Sequence, residues 1–452
     1  MTTETSSTYP DRPVPGEIPA WTFPAAAGGR LANGLTTLHS ELPSRRLAAV
    51  RLVLDAGAAR EPGGLDGVAT LTGRALTEGT TTRGGNEFAA ALERIGATLY
   101  GSAGLVTLQV SLDVPVTRLD DAMGLLAEAV RTPELADSEV RRLGRERIDE
   151  IGQEDADPRS RAIRELRAVM FSEGSRTARP TGGDRETVAR LGGEEVQGFY
   201  AGADPAAATV VTAGDFSGVD IDALLAQALG DWAAPERALP EPGPVTGSDG
   251  PRLVIVHRTG AVQTQLAFGH HVPGRDHPDW AALAVAGQVL GGGLSSRLNA
   301  VLREEKGYTY GMHAGLMRLQ GRGLFLAEGA VHTEVTGPAV ADALTGLRSL
   351  LAGITAEECH TAVRSLADSA PTRYETARSV AAEIADAVAN GLPADYPRRY
   401  FDAVRATDHD AAAAAYARHV DPEALTVVAV GDADQIQEPL EKLDFAEVTV
   451  VR

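Results

Sequence analysis

The stretch from residue 290 to 311, LGGGLSSRLNAVLREEKGYTYG, holds the most informative spacing of polar side chains in the sequence. Gly291–Gly293 precede a predicted helix, and such glycines could bring backbone amides close to a phosphate. The Gly-Lys-Ser/Thr ending of a phosphate-binding loop is missing, which argues against that use. Spacing alone favours a tight helix entry, with Arg303 at the surface and Tyr310 half-buried in the strand after a Lys-Gly stop.

Histidine and cysteine are too sparse for most metal sites. His39 is the only histidine before position 257 and no cysteine precedes that position, so the first half cannot build a two-histidine zinc site. In GHHVPGRDH, His270 and His271 are adjacent in a predicted strand and point to opposite faces, so only one could join His277 at a metal. We expect surface or partly buried histidines instead. The single cysteine, Cys359, excludes an internal disulfide and is expected to pack as a small apolar side chain.

Composition describes an acidic protein with enough apolar residues for real cores. Of 452 residues, 43% are hydrophobic, and 62 acidic against 42 basic residues give a net charge of −20. That charge repels nucleic acid and anionic membranes, so neither is an expected partner, and it weakly favours basic or neutral peptides over acidic ones. The first residues lack a basic region and an apolar region, and no apolar run approaches the roughly 18 residues of a membrane span. We expect a cytoplasmic protein.

The chain contains an internal repeat that indicates a duplicated domain. DPAAATVVTAGD at 204–215 and DPEALTVVAVGD at 421–432 agree at eight of twelve positions, 217 residues apart. A weaker echo aligns Tyr100-Gly101 with Tyr310-Gly311 at an offset of 210. A solenoid is excluded because its period would be about 20–50 residues. Each copy predicts a turn, a buried β-branched strand and a Gly-Asp turn into a helix.

These patterns predict an α+β fold of two similar domains. A disordered lead-in is expected at 1–25, a first domain at 26–233, a Pro/Gly-rich linker at 234–251 and a second domain at 252–452. In the second half, strands are predicted at 252–257 and 264–271, helices near 278–290 and 295–305, and a strand pair at 308–318 and 323–332. Helices and strands alternate without a regular βαβ rhythm, which favours a mixed sheet with helices on one face.

The 290–311 stretch resembles the C-terminal-domain signature of the pitrilysin/insulinase-type zinc metallopeptidases, in the branch similar to the mitochondrial processing peptidase. In that family an Arg at a helix end and a Tyr seven residues later contact substrate, and Arg303 and Tyr310 match the spacing. The likeness spans most of residues 28–445. It implies subunits of two related α+β domains, each subunit forming half of a clam-shell chamber.

The resemblance also implies a zinc motif, His-x-x-Glu-His, early in the first domain. Its histidines share a helix face, its glutamate is the general base, and a downstream glutamate completes the ligands. The matching stretch here, GLDGVATLTGRALTEGTTTR at 64–83, places Thr70 and Arg74 at the histidine positions and Gly73 at the base position. Glu150 lies near the expected third-ligand spacing, although by itself it looks like a solvated helix carboxylate. We therefore expect no metal or other cofactor in this chain.

An intact substrate motif beside a lost metal motif is similar to the non-catalytic subunit of a heterodimeric peptidase. The resemblance then implies a homologous partner that carries zinc, a peptide substrate held by Arg303 and Tyr310, and a homodimer as one form of the isolated chain. Two alternatives stay open. One is a structural or peptide-binding protein of this fold without proteolytic output, and the other is an enzyme with an unrelated site.

Overall fold

The structure, a computed structural model, describes residue 16 and residues 20–319 and 321–452. It contains two six-stranded mixed sheets, one built from residues 27–214 and the other from residues 252–451. Helices pack on both sheets, which confirms the α+β prediction of two related units.

The strands of the two sheets follow one another along the chain in separate groups. The first sheet has the order β1-β2-β6-β3-β5-β4 and the second has the order β12-β7-β11-β8-β10-β9. The first six strands are β1 (Ala27–Arg30), β2 (Thr36–Glu41), β3 (Leu47–Leu54), β4 (Thr98–Ala103), β5 (Leu108–Pro115) and β6 (Thr209–Gly214). The second six are β7 (Arg252–His257), β8 (Gln263–Pro273), β9 (Thr309–Leu319), β10 (Arg322–His332), β11 (Thr426–Gly431) and β12 (Val448–Val451).

Seventeen α-helical segments are found in the described part of the chain. Those of the first half are α1 (Val68–Ala75), α2 (Gly85–Arg94), α3 (Leu119–Arg131), α4 (Asp137–Ala156), α5 (Pro158–Met170), α6 (Arg185–Arg190), α7 (Gly193–Tyr200) and α8 (Ile221–Leu229). Those of the second half are α9 (Trp280–Gly291), α10 (Arg297–Asn299), α11 (Thr336–Ser349), α12 (Ala356–Ala367), α13 (Ala370–Arg373), α14 (Ala377–Ala389), α15 (Tyr396–Ala406), α16 (His409–His419) and α17 (Ala433–Glu441). Short 3₁₀ turns lie at Ala58–Arg60, Val116–Arg118, Arg176–Ala178, Pro205–Ala207, Thr333–Val335 and Leu350–Ala352, and a π-helical turn lies at Ala300–Glu305.

The sequence repeat corresponds to the same inner strand in both sheets. β6 pairs in parallel with β2 and antiparallel with β3, and β11 pairs in the same senses with β7 and β8. All six residues of each repeat strand are buried, which explains their uninterrupted apolar and threonine character. The weaker echo is also structural, because Tyr100 lies on β4 and Tyr310 on β9, the outermost strands at matching edges.

Each half of the chain covers the other half's sheet with one helix. α5, from the first half, packs on β8 and β11 of the second sheet, and its Leu166 and Met170 share a buried cluster with Val428 of β11 and Val254 of β7. All four side chains are almost completely buried. Burial of these apolar side chains stabilises the second sheet by about 25 cal/mol for each Å² of apolar surface removed from water.

The reciprocal contact comes from α14, which packs on β3 and β6 of the first sheet. Val380 and Ile384 are fully buried there against Val53 and Val211. α14 begins 219 residues after α5, which is close to the offset of the sequence repeat. The exchange of a helix between the halves is therefore part of the duplication. The two sheets are therefore interlocked by their own helices.

A buried ion pair lies under this exchanged helix. Arg51 on β3 is only 2% exposed, and its Nη2 lies 3.0 Å from Oδ1 of Asp113 on β5. The other oxygen of Asp113 is 2.9 Å from Nη2 of Arg378, in the first turn of α14. Asp113 thus joins a buried cation of the first sheet to a helix of the second half.

The end of the predicted lead-in differs from the expectation of disorder. Most of residues 1–25 lie outside the described residues, but Trp21 and Phe23 are described and pack against Tyr374 and Phe401. Phe23 is 3% exposed. Two large aromatic rings bury enough apolar surface to offset the entropy of ordering the short segment that carries them.

The predicted linker, 234–251, forms no helix and no strand of either sheet. An isolated antiparallel bridge joins Gly247 to Phe171, and Asp249 accepts a hydrogen bond from the backbone of His271. The segment is thus fixed to both halves at its end.

No single helix within residues 20–319 and 321–452 has both the length and the apolar character to cross a membrane. One bent pair, Thr333–Ala352 with Ala356–Arg373 at 105°, meets those criteria only jointly. Core helices of soluble proteins meet them too, and several residues of this pair are buried in the second domain's core.

Candidate functional site

The helix that carries the altered zinc motif exposes just two residues. α1 is buried at every position except Thr70 and Arg74, which are half-buried and one helical turn apart. Residues at i and i+4 lie on one face of a helix, so these two side chains occupy the places predicted for a histidine pair. The stretch forms a helix, as expected, and of its three altered positions Thr70 and Arg74 are accessible whereas Gly73 is buried.

Arg74 binds the carboxylate that was predicted as the remnant of the third ligand. Its Nη1 donates to Oε1 of Glu150 at 2.8 Å and its Nη2 donates to Oε2 at 2.7 Å. Nη1 of Arg147 adds a third contact to Oε2 at 3.1 Å. Glu150 is therefore not the merely solvated helix carboxylate that its sequence context suggested. The two residues are 76 positions apart and only the fold brings them together.

This arrangement does not fit a zinc ion. Hydrogen bonds from Arg74, and then from Arg147, lower the pKa of Glu150 below its ordinary value, so the carboxylate stays ionised. Its negative charge is balanced by guanidinium groups instead of a metal. Thr70 offers only a weakly ligating hydroxyl and Gly73 no side chain, so this face lacks both the ligands and the base of the family motif.

The packing of α1 against β4 favours glycine at position 73. A Cβ built at this position would lie 3.1 Å from the backbone N and C atoms of Ser102 on β4. The reciprocal Cβ on Gly101 would overlap the carbonyl oxygen of Gly73. α1 and β4 therefore meet backbone to backbone, and a glutamate at position 73 would require β4 to move.

The second predicted site lies at the open edge of the other sheet. β9 is the outermost strand and pairs only with β10 within the described chain. Tyr310, the second residue of β9, has 87% of its surface exposed, and its hydroxyl makes no hydrogen bond within the described residues. Exposure is greater than the half-buried position expected from the strand pattern alone. The phenol is free to contact a ligand.

Arg303 lies seven residues earlier, in the π-helical turn Ala300–Glu305. Its side chain is one-third exposed, and its Nη1 lies 3.0 Å from Oε1 of Glu304. Single π-helical turns inside helices recur at functional sites because they re-aim side chains. The structure thus places Arg303 at a helix end just before β9, as the sequence predicted.

Asn299 connects these parts and was not identified from the sequence. It is 2% exposed, and its side chain exchanges two hydrogen bonds with the backbone of Met312 on β9, at 2.8 and 2.9 Å. The same amide donates to the carbonyl of Gly293 at 2.9 Å. Asn299 therefore fixes the glycine turn and the π-helical turn against β9. A polar asparagine inside an otherwise helical run was the available signal.

The three glycines of the turn have different roles. A Cβ on Gly291 would overlap the backbone nitrogen of Ala314 and lie 2.8 Å from the carbonyl carbon of His313, so α9 needs glycine to pack on β9. A Cβ on Gly292 would meet only the flexible side chain of Gln288, and one on Gly293 would meet nothing within 4 Å. Only Gly291 is required by a close backbone approach.

A charged pair holds the helix that follows this turn. Arg297 donates from Nε and Nη2 to the two oxygens of Glu358 at 2.6 and 2.9 Å, and from Nη1 to the carbonyl of Ser349 at 3.0 Å. The guanidinium lowers the pKa of Glu358 to about 2, with help from the backbone and hydroxyl of Thr355. The pair fixes α10 to α12.

Two of the histidines are more deeply buried than the surface or partly buried positions expected from the sequence. His270 and His271 are both buried on β8, and Nδ1 of His271 lies 2.9 Å from Asp249. His277 instead faces His419, with ring centroids 4.9 Å apart, so neither β8 histidine joins it.

Among the described residues, His277, Asp279 and His419 bring three possible metal-ligand atoms within 4.8 Å, as do His257, Asp432 and Asp434. In the first group Asp279 already accepts hydrogen bonds from His419 at 2.7 Å and from Arg418. In the second group, Asp432 accepts hydrogen bonds from the backbone of Gly260 and from the Gln435 amide. Both groups thus have internal partners. Cys359 is buried, as expected, and burial raises the pKa of its thiol.

Comparison with known proteins supports the sequence resemblance. Residues 36–182 match the family profile described as insulinase (peptidase family M16), and residues 194–366 match the profile of the peptidase M16 inactive domain. The two matches lie side by side and together cover most of the chain.

Individual relatives and solved structures point the same way. An uncharacterized zinc protease of Mycobacterium leprae is 28% identical over 346 residues, covering 74% of this chain and 76% of the relative. A probable mitochondrial-processing peptidase subunit alpha-2 of Arabidopsis thaliana is 26% identical over 58% of this chain and 51% of its own. The crystal structure of a peptidase M16 inactive domain from Pseudomonas fluorescens superposes with a TM-score of 0.83 at 22% identity, over 90% of this chain and 98% of that one.

The duplicated sheets, the helix with its replaced zinc residues and the matched family profiles agree with one another. The chain belongs to the insulinase (M16) peptidase family, in the branch of subunits that lack the zinc-binding motif.

Proposed function

We propose that this chain is the non-catalytic, substrate-binding subunit of a heterodimeric zinc metallopeptidase that processes or degrades peptides in the cytoplasm. Its partner would be a homologous chain with an intact His-x-x-Glu-His motif, and zinc would belong to that partner. The observation that carries the proposal is the pair of hydrogen bonds between Arg74 and Glu150, because a guanidinium neutralises the carboxylate that a zinc site would use.

The exposed edge of the second sheet supports a role in binding peptides. β9 has no neighbouring strand on its outer side within the described chain. Asn299 binds the backbone of Met312, and beyond that residue an extended peptide could add as a further strand. Main-chain hydrogen bonds would supply affinity without fixing the peptide's sequence. Tyr310 lies near the start of this strand with its hydroxyl free.

Arg303 and Tyr310 would act on the peptide held across the subunit interface. Arg303 would donate to peptide carbonyl groups, since its planar fork keeps its charge and direction when water is excluded. Tyr310 would donate a hydrogen bond near the bond to be cut, where negative charge develops during hydrolysis. Asn299 would position both by holding the π-helical turn against β9.

The test is reconstitution with the zinc-bearing homologue from the same genome. The two chains are purified separately and mixed, and cleavage of a peptide library is followed by mass spectrometry with and without EDTA. We expect chelator-sensitive cleavage in the mixture and none from this chain alone. Arg303→Ala or Tyr310→Phe should lower turnover more than tenfold while circular dichroism stays unchanged, because removing one such donor typically costs about 10²–10³ in rate.

Four results would count against this proposal or a part of it. Zinc bound stoichiometrically by the isolated wild-type chain would contradict the loss of the metal site, and EDTA-sensitive cleavage by this chain alone would do the same. Wild-type rates from both variants would remove Arg303 and Tyr310 from the mechanism. A stable mixed complex that binds peptides but never cuts them would support the structural or peptide-binding alternative.

A further inference from the structure

An arginine-rich cavity of about 540 Å³ lies between α4, α5, the segment 178–182 and β9. Five of its lining residues are arginines, and two, Glu154 and Asp157, are carboxylates. The arginines are Arg147, Arg159, Arg164, Arg167 and Arg179. A cationic lining is unexpected in a chain whose net charge is −20. This cavity is distinct from the two sites predicted from the sequence.

Four of the five arginines have a carboxylate partner. Arg147 binds Glu150 and Glu154, Arg159 binds Glu328, Arg164 binds Asp155, and Arg179 binds Asp66. Their charges are therefore balanced within the protein.

Arg167 is the exception within the described chain. Its Nε and Nη2 both donate to the carbonyl oxygen of Thr177, at 3.1 and 2.7 Å, and no described carboxylate lies within 4 Å of its guanidinium. Burial, and then the neighbouring charge of Arg176, lowers the pKa of Arg167. A cation in this position gains from an anionic partner, since a partly desolvated charge without a counter-ion is costly.

The cavity lies between the two sites already described. On one side Arg147 contacts Glu150, which binds Arg74 of the altered zinc motif. On the other side the cavity is lined by Met317 of β9, the strand whose edge begins beside Tyr310. Met317 is seven residues beyond Tyr310, which is about 23 Å along an extended strand.

The cavity also lies on a defined face of the second sheet. Met312 and Ala314 belong to the core on the α9 side, whereas Met317 packs in the cluster on the α5 side. A peptide added along β9 beyond Met312 would alternate its side chains between the two faces, so every second residue would point toward α5. An acidic side chain or a peptide end at the right distance would meet the arginines.

We propose that the arginine-rich cavity binds a carboxylate of the bound peptide, about seven residues from the bond that is cut. The carboxylate would come from the peptide's C-terminus or from an Asp or Glu side chain. Arg167 would bind it, because a guanidinium fork pairs with both oxygens of a carboxylate in one plane. This inference rests on the proposed peptide-binding function. It reverses the preference for basic or neutral peptides that the net charge alone suggested.

The test measures binding of labelled peptides to this chain alone by fluorescence anisotropy. Four twelve-residue peptides are derived from one neutral sequence. The first pair differs at the C-terminus, which is a free acid in one peptide and an amide in the other. The second pair are both amides and differ at one internal position, which is Glu in one peptide and Gln in the other. We expect the free acid or the Glu peptide to bind at least tenfold more tightly than its neutral counterpart. Which pair differs identifies the source of the carboxylate.

Variants then assign the effect to the cavity. Arg167→Gln should remove the discrimination and leave binding of the neutral peptides unchanged. The control is Arg398→Gln on α15, where the side chain is 62% exposed. It makes the same change in net charge and should leave the discrimination between the peptides intact. Thr181→Asp places a carboxylate in the cavity lining without removing the hydrogen bonds of Arg167, so it tests the proposal even if Arg167→Gln folds poorly. It should also remove the discrimination.

Equal binding of all four peptides by the wild-type chain, including no binding of any, overturns the inference. Discrimination that survives both Arg167→Gln and Thr181→Asp does so as well. These measurements contain no partner subunit, so their failure is distinct from failure of the proposed function. Partner-dependent cleavage without carboxylate discrimination would overturn only the cavity's role. Discrimination without partner-dependent cleavage would leave the cavity a peptide site in a non-proteolytic protein.

Discussion

Replacing Thr70 and Arg74 together by histidine should create a zinc site where the guanidinium now lies. The two positions are the only accessible ones on α1, one turn apart, and Glu150 is already directed at this face by its contacts with Arg74. Zinc binds histidine nitrogen at about 2.0–2.1 Å and carboxylate oxygen at about 2.0–2.2 Å, so two imidazoles and Glu150 can share one ion. Arg147 would still contact one Glu150 oxygen and leave the other for the metal.

The expected gain in thermal stability follows from zinc binding to the folded state and not to the unfolded state. Zinc at 100 times its dissociation constant stabilises the fold by about 2.7 kcal/mol. Because the two halves are interlocked, the whole chain of 452 residues is the unfolding unit, and at about 2.1 cal/mol/K per residue this gain raises the unfolding midpoint by about 3 °C. The wild-type chain should show no such shift, because its Arg74 repels the ion.

The assay combines thermal unfolding across a zinc titration with metal content by mass spectrometry after gel filtration. We expect about one zinc per double-histidine chain and none per wild-type chain. The same double variant with Glu150→Gln should bind zinc much more weakly, which tests the third ligand. Peptidase activity should stay absent, because Gly73 supplies no general base. Failure of the double variant to bind zinc, or equal binding by the wild type, would refute the assignment of Thr70 and Arg74 to the metal positions.

Three further changes test the packing described above. Asp113→Asn removes the carboxylate beside the buried Arg51 and should lower the free energy of unfolding by about 3 kcal/mol in urea titrations; a loss below about 1 kcal/mol would contradict that pairing. Gly291→Ala forces α9 away from β9 and should cost about 1–3 kcal/mol, whereas Gly293→Ala, with open space around it, should be neutral; equal effects would refute the close approach. Glu358→Gln should destabilise the chain by about 1–2 kcal/mol at pH 7, since the depressed pKa of this partly exposed carboxyl adds stability above about pH 4.5 that is lost toward pH 2. The difference from wild type should shrink over that interval in pH-dependent unfolding, and a constant difference would contradict the ion pair.

Much of the architecture could be predicted because it depends on local patterns of residue types along the sequence. The repeat strands are apolar throughout since both faces of β6 and β11 are covered, and the Pro/Gly-rich segment at 234–251 has no pattern that could form a sheet. Arg303 and Tyr310 were singled out because their seven-residue spacing resembles a family motif that can be read along the chain, and their role in binding substrate stays a prediction.

The remaining features depend on contacts between residues far apart in the sequence. The apolar face of α5 predicts that one side is buried, but no local signal states that it covers the sheet of the other half. The pairing of Arg74 with Glu150 spans 76 residues, and the unbalanced charge of Arg167 is visible only once the partners of its neighbours are known. His277 lies close to His270 and His271 in the sequence, whereas the fold brings it to His419, 142 residues away.

The exchange of α5 and α14 between the halves bears on how such a chain arose. In a single ancestral unit, one face of the sheet and the apolar side of the exchanged helix would both have been exposed to water. Such a unit could have been soluble only as a dimer in which each copy's helix covered the other copy's sheet. Gene duplication and fusion would then have joined two molecules that were already entwined. The two halves of the present chain should therefore not fold separately. If the chain were cut within 234–251, the two fragments would have to associate before either could fold.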